Sequence, residues 1–117
     1  GGVERATTDG VRLVVGDELP GISLTLTDEL LGSALDLSAG TTVITVKFHL
    51  TGSATTLSTI TCTKPGGGGD GVVQFDFAGG VLDVAAGSYE GDILVAYSGS
   101  VQTVYDTLRF RIRAAAT

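Results

Sequence analysis

The sequence has very few of the side chains on which most active sites and metal sites depend. Tryptophan and methionine are absent, and there are one cysteine, one histidine and only two prolines. A single cysteine excludes an intrachain disulfide, and a single histidine excludes a zinc site built from several histidines. His49 lies in an alternating run and is interpreted as an exposed polar strand residue. These absences favour a binding or structural module over an enzyme.

Basic residues are also scarce. The chain has 7 Lys and Arg residues against 13 Asp and Glu residues, which gives a net charge of −6. A protein that binds nucleic acid needs a positive face to displace counterions from the phosphates, and electrostatic membrane binding needs a basic cluster. The composition therefore predicts neither a nucleic-acid partner nor a membrane partner, and no pattern in it predicts a cofactor.

Long apolar runs are missing too. No stretch approaches the roughly 20 apolar residues that span a bilayer, and the first eight residues lack the apolar centre of a signal peptide. We therefore expect neither a transmembrane segment nor a secretory signal.

What the sequence does have is strict alternation of apolar and polar residues. It is clearest over residues 22–27, 44–50 and 108–113. A period of two means that one face of each strand is buried and the other is solvated. Turn signals recur at short intervals, and no segment has a capped helical period. The sequence predicts an all-β fold of about seven to nine short strands, arranged as an antiparallel sandwich or barrel.

The length of 117 residues fits one domain. We predict a flexible N-terminal arm over residues 1–10, the sandwich domain over residues 11–113 and a frayed tail over residues 114–117. The run of four glycines at residues 66–69 is interpreted as a mobile hairpin tip that tolerates shortening.

The phase of the alternation also predicts the core. Cys62 is in phase with Ile60 and is expected to be a small buried hydrophobe. In residues 55–63, Leu57 breaks that phase, which predicts a β-bulge or a late strand start. The larger predicted core residues are Phe48, Phe75, Phe110 and Ile112.

Few residues are arranged for chemistry. The acidic pairs at residues 17–18 and 28–29 lack the spacing of a calcium-binding loop, and the glycine run lacks the Lys-Ser/Thr end of a phosphate-binding loop. The most distinctive surface feature is the alternation of Arg109, Arg111 and Arg113, which predicts a docking surface for acidic groups on a neighbour. The alternative is a solvated face with weak local ion pairs.

The order of the short motifs resembles a known family. The segments that carry the resemblance lie at residues 15–20, 22–28, 35–38, 43–50, 71–77, 86–92 and 101–103. Phe48-His49-Leu50 matches the end of a characteristic strand, and Phe75 and Phe77 stand where that family has an aromatic pair. Across residues 11–113 the chain resembles the immunoglobulin-like domain at the N-terminus of tailed-phage baseplate upper proteins, which also occurs as a small phage virion protein.

The resemblance implies an immunoglobulin-like antiparallel β-sandwich of about seven to nine strands. It also implies that the chain is a non-enzymatic component of the virion, assembled in the cytoplasm of the bacterial host. It also implies docking onto other phage structural proteins of the tail, baseplate, fibre or capsid, in a symmetric homo-oligomer. The expected assembly interface combines Arg109, Arg111 and Arg113 with the charged leader residues Glu4 and Arg5.

Two other functions stay open at this point. One is decoration of the capsid or attachment of a head fibre, because small sandwich domains serve both. The other is a carbohydrate-binding sandwich, in which Tyr89, Tyr97 and Tyr105 would supply a stacking face. Tyr89 and Tyr97 share the predicted inward phase, which favours a place in the core.

Overall fold

The computed structural model describes residues 4–7, 11–18, 21–28 and 32–114, and these residues form eight β-strands and no helix. In chain order the strands are β1 (Glu4–Thr7), β2 (Val11–Val14), β3 (Ile22–Asp28), β4 (Val43–Leu50), β5 (Ser58–Thr61), β6 (Val72–Phe75), β7 (Gly87–Tyr97) and β8 (Ser100–Arg113). The prediction of an all-β chain is confirmed.

The strands form two sheets. One has three strands in the order β1-β3-β6, and the other has five in the order β2-β8-β7-β4-β5. The described pairings are antiparallel apart from β2 and β8, which run parallel, so the prediction of a wholly antiparallel arrangement is wrong for that pair. β1 and β2 follow each other in the chain but lie in different sheets, and β1 also approaches β8 along one side of the molecule.

The first strand corrects the prediction of a flexible N-terminal arm. Residues 4–7 form β1, which pairs antiparallel with β3 and places Glu4 opposite Asp28 and Thr7 opposite Thr25. β1 thereby pairs with peptide groups that would otherwise line the edge of β3. The remaining residues of the predicted arm, and residues 115–117 of the predicted tail, lie outside the described residues.

Side chains from both sheets meet in one hydrophobic core. The three-stranded sheet contributes the buried side chains of Leu24 in β3 and Val73 in β6, and the five-stranded sheet contributes that of Val46 in β4. Aromatic rings link the layers: Phe77, just after β6, meets Phe110 of β8 edge-on at a centroid distance of 5.6 Å. All the large residues predicted for the core are buried: Phe48, Phe75, Phe110 and Ile112.

One glycine of the four-glycine run packs against a neighbouring segment, which contradicts the interpretation as a loose tip at that position, while Gly66, Gly67 and Gly69 are exposed. Gly68 is buried, and its carbonyl accepts a hydrogen bond from the Leu37 amide at 2.8 Å. The Lys64 Nζ atom donates to the carbonyls of Leu37 at 2.8 Å and of Ala39 at 3.1 Å. Because these bonds tie residues 64–71 to the segment around the buried Leu37, shortening the run is expected to destabilise the fold.

Cys62 follows β5 and is buried, as its phase predicts. Burial raises the pKa of the thiol to about 12, so almost no thiolate exists at neutral pH.

Cys62 should therefore be unreactive in the folded protein. At about pH 8, a colourimetric thiol reagent is expected to label it far more slowly than a free cysteine, and to label one thiol per chain in denaturing guanidinium chloride. Rapid labelling without denaturant would show that the residue is accessible.

Candidate assembly surface

β8 presents the predicted arginines as one row. Arg109, Arg111 and Arg113 are exposed on the outer face of the five-stranded sheet, and we call this row the arginine stripe. The alternate residues on the inner face are buried: Leu108, Phe110 and Ile112. Alternate residues of a strand lie about 6.6–6.8 Å apart, so the stripe is about 13 Å long. Its three arginines are exposed to solvent on the side of the strand away from the core.

The arginine stripe has different neighbours on the two strands that pair with β8. On the β7 side, Arg109 is the register partner of Glu90, and Arg111 donates a hydrogen bond to the Ser88 hydroxyl at 3.0 Å. On the β2 side, Arg12 is the register partner of Arg111. Four of the seven basic residues of the chain therefore lie on the adjacent strands β2 and β8.

The other predicted interface residues, Glu4 and Arg5, lie on β1. Their register partners are Asp28 and Thr27 of β3, in the three-stranded sheet. The stripe belongs to the other sheet, although β1 approaches β8 where the sheets meet. The predicted interface residues are thus divided between two sheets rather than joined in one row.

The opposite end of the same outer face is apolar. Val43 of β4 lies opposite Ala96 of β7, which in turn lies opposite Val101 of β8. Val101 is 64% exposed and Val43 is 43% exposed. The face therefore combines a basic end with an apolar end, which suits a partner that offers carboxylates and an apolar contact together.

His49 is not the exposed strand residue that its sequence position predicts. It is buried between β4 and β7, with its Nε2 atom 2.9 Å from Asp92 Oδ2 and its Nδ1 atom 3.0 Å from the Leu50 carbonyl oxygen. Both partners are acceptors, so only the doubly protonated ring can donate to both. Burial lowers the pKa of His49, but the Leu50 carbonyl and the carboxylates of Asp92 and Glu90 outweigh it and leave the pKa raised. The sequence could not reveal this pair because only the β4–β7 register brings His49 beside Asp92.

The raised pKa predicts a pH-dependent stability. Because the folded pKa exceeds the unfolded value of about 6.5, the contribution of His49 is complete below that value and is lost as the pH rises through the folded pKa. In urea titrations we expect the unfolding free energies of the wild type and His49→Gln to converge as the pH rises above about 6.5. Asp92→Asn should weaken this pH dependence. A difference that grows with pH would contradict the assignment.

Three observations on the described residues concern metal binding, membrane insertion and sugar binding. Within them, no group of three or more His, Cys, Asp or Glu side chains is placed to hold a metal ion. The same part of the chain contains no helix long and apolar enough to cross a membrane. Tyr89 is buried, and its hydroxyl donates to the Ala85 carbonyl, so it is not available to stack on a sugar.

No family model matches this chain, and no curated protein matches it.

Proposed function

We propose that this chain is a non-enzymatic structural component of a tailed-phage virion, an immunoglobulin-like module that docks in the tail, baseplate or fibre-attachment region. The observation that carries the proposal is the arginine stripe, an exposed row of three planar cations on a chain with a net charge of −6. The motif order along residues 11–113 supports the phage assignment. The same surface would serve a capsid decoration or head-fibre protein, so the location in the particle is an outcome of the test.

The strand order supports the immunoglobulin-like part of the proposal. In immunoglobulin domains, strands A, B and E share one sheet, while C, F and G form the other, with C′ added in the variable type. β3, β4, β6, β7 and β8 occupy the positions of B, C, E, F and G in that order. β1 takes the place of A beside B, and β5 takes the place of C′ beside C.

A side-chain contact supports the same assignment. Immunoglobulin-type sandwiches have a tyrosine near the start of strand F whose hydroxyl bonds to the backbone a few residues upstream. Tyr89 stands near the start of β7, and its hydroxyl donates to the Ala85 carbonyl at 2.6 Å. Two residues further on, where antibody domains have a cysteine, this chain has Gly91. A Cβ atom there would lie 2.7 Å from Val46 Cγ1, so the core leaves no room for a cysteine side chain at this position.

The guanidinium groups of the arginine stripe determine which groups on a partner it can bind. Arginine pairs with carboxylates through two parallel hydrogen bonds, which gives direction as well as attraction. Each exposed pair contributes little by itself. In a symmetric homo-oligomer such weak contacts would be repeated in every subunit, and this multivalency would strengthen attachment beyond that of a single subunit.

The proposal is tested by replacing the stripe. The variant Arg109→Ser/Arg111→Ser/Arg113→Ser alters exposed side chains only, so circular dichroism should report an intact fold. We expect its incorporation into virions, measured by gradient sedimentation and mass spectrometry of purified particles, to fall at least about tenfold, the effect of losing about 1.4 kcal/mol.

The matched control replaces the three arginines with lysines. It keeps the charge but loses the planar double hydrogen bond, so incorporation should be intermediate. Deletion of the leader is a poorer test, because it also removes β1 from the sheet. Absence of the wild-type chain from purified virions would overturn the virion assignment, and normal incorporation of the serine variant would overturn the role of the stripe.

A further inference from the structure

The arginine stripe has no carboxylate partner among the side chains that the structure describes. Arg109 lies opposite Glu90 in the register of β7 and β8, but no ion pair joins these two side chains, and Glu90 is also the register partner of His49 on β4. The guanidinium group of Arg111 donates to the neutral hydroxyl of Ser88. The described acidic residues of the same sheet therefore leave the positive charge of the stripe unpaired.

The spacing of the three arginines is fixed by strands on both sides of β8. On one side β2 pairs with residues 110–113, and on the other side β7 pairs with residues 107–112 without a register shift. The irregular part of the β7–β8 pairing lies beyond Asp92, away from the arginines. The stripe therefore keeps the regular strand repeat of about 6.6–6.8 Å between alternate residues. Because this part of β8 has a neighbour on each side, it cannot accept another strand into the sheet.

A partner of the stripe therefore binds over the outer face of the sheet and has to match its repeat. In an extended segment, alternate residues share a face at the same spacing of about 6.6–6.8 Å. In an α-helix, residues four apart are about 6.0 Å apart along the axis, and each such step turns the side chain by about 40° around it. Three carboxylates of an extended segment can thus face the three arginines together, whereas those of a helix turn away from the row.

Carboxylates are the groups on such a segment that match the stripe in charge and in shape. A guanidinium group binds a carboxylate through two parallel hydrogen bonds in one plane. A single exposed pair contributes little to binding. Three pairs on one segment share the cost of ordering that segment, so a segment with the correct spacing is bound much more tightly than a single carboxylate.

We propose that the arginine stripe binds an extended acidic segment of a partner protein, which lies along β8 on the outer face of the sheet and carries carboxylates at three alternate residues. Each carboxylate pairs with one of the three arginines. The inference rests on the proposed function, because it specifies the partner at the same docking surface. It adds a requirement that charge alone does not make: the same three carboxylates at other spacings bind more weakly.

Three synthetic peptides test the spacing. One has the alternating sequence Thr-Glu-Thr-Glu-Thr-Glu-Thr. The second, Glu-Glu-Thr-Thr-Thr-Thr-Glu, has the same composition, but no two of its carboxylates are two or four residues apart. The third is an alanine-rich helical peptide with three glutamates spaced four residues apart.

The peptides are titrated at low salt into isotope-labelled protein, and the shifts of the arginine Nε–H signals in NMR spectra give the dissociation constants. We expect the alternating peptide to bind at least about tenfold more tightly than either of the others. Equal affinities for the two peptides of the same composition would overturn the inference. Tighter binding of the helical peptide would also overturn it, because the partner would then be a helix.

Two protein variants test whether the arginines recognise the spacing. Arg111→Ser removes the central cation of the stripe and should reduce the preference for the alternating peptide to less than about threefold. Lys47→Ser is the matched control, because it removes one positive charge from β4 of the same sheet, where Lys47 Nζ donates to Thr59 Oγ1 at 3.0 Å. The preference should survive in this control. An unchanged preference in Arg111→Ser would overturn the inference.

The peptide titrations and the virion experiment can fail independently. If the serine variant of the stripe is lost from virions but the two peptides of the same composition bind equally, the docking surface stands and the extended segment is wrong. If the wild-type chain is absent from virions but the alternating peptide is preferred, the virion assignment is wrong and the recognition of an extended acidic segment stands.

Discussion

Replacing Phe48 with alanine is expected to lower the free energy of unfolding by about 3–5 kcal/mol. The ring is completely buried. It stacks on Tyr89 of β7 at a centroid distance of 5.1 Å and lies 5.8 Å from Phe110 of β8, so truncation removes aromatic contacts with two other strands of the sheet. Small domains are stable by only about 5–15 kcal/mol. Urea unfolding followed by circular dichroism should therefore show a large fall in the transition midpoint.

Two further variants test whether the loss of stability comes from removing a close-packed ring. Phe48→Leu keeps most of the volume and should cost less than about 2 kcal/mol. Phe75→Ala should again cost about 3–5 kcal/mol, towards the lower end because Phe75 borders a cavity beside β5. A loss below about 1 kcal/mol for either alanine variant would contradict the placement of that ring in a close-packed core.

Gly68→Ala is expected to be strongly destabilising, whereas Gly67→Ala should be milder. Both glycines have positive φ angles, +92° and +81°, so both alanine variants incur a left-handed backbone cost of about 1–2 kcal/mol. Only Gly68 also lacks space, because a Cβ atom there would lie 2.6 Å from the Leu37 carbonyl oxygen. That contact is with backbone and adds about 1–3 kcal/mol of overpacking.

Both variants carry the same backbone cost, so the difference between their losses of unfolding free energy measures the packing of Gly68 against Leu37. Both variants are measured by urea unfolding under the same conditions. Equal losses for the two alanines would show that residues 64–71 do not pack against Leu37, and the original interpretation of a loose hairpin tip would regain support.

Features that depend on residues close in sequence could be predicted from the sequence. A period of two determines which side chains share a face, so the alternation predicted the buried side of β8 and the outward row of Arg109, Arg111 and Arg113. The same argument predicted burial of Cys62 from its phase with Ile60. The late start of β5 at Ser58 was also predictable, because the break in the alternation at Leu57 is itself a local signal.

Features that depend on strand pairing could not be predicted in this way. His49 alternates like an exposed residue, but β7 places Asp92 within 2.9 Å of its ring. The leader resembles a flexible arm because four residues are too few to show a clear period, yet the edge of β3 pairs with them. The glycine run has no side chains to reveal its contacts, and these contacts are made by its backbone and by Lys64.

The sequence by itself determined that this protein is all-β, that its core contains the phenylalanines of the alternating segments and that its last strand exposes three arginines. Only the tertiary structure decided that β2 pairs parallel with β8, that β1 and β2 lie in different sheets and that β5 lies at the edge of the five-stranded sheet. The physical reason is the range of the interactions. Alternation acts between neighbours along the chain, whereas sheet order and register are set by hydrogen bonds between segments far apart in sequence, whose energies differ little until the whole core is packed.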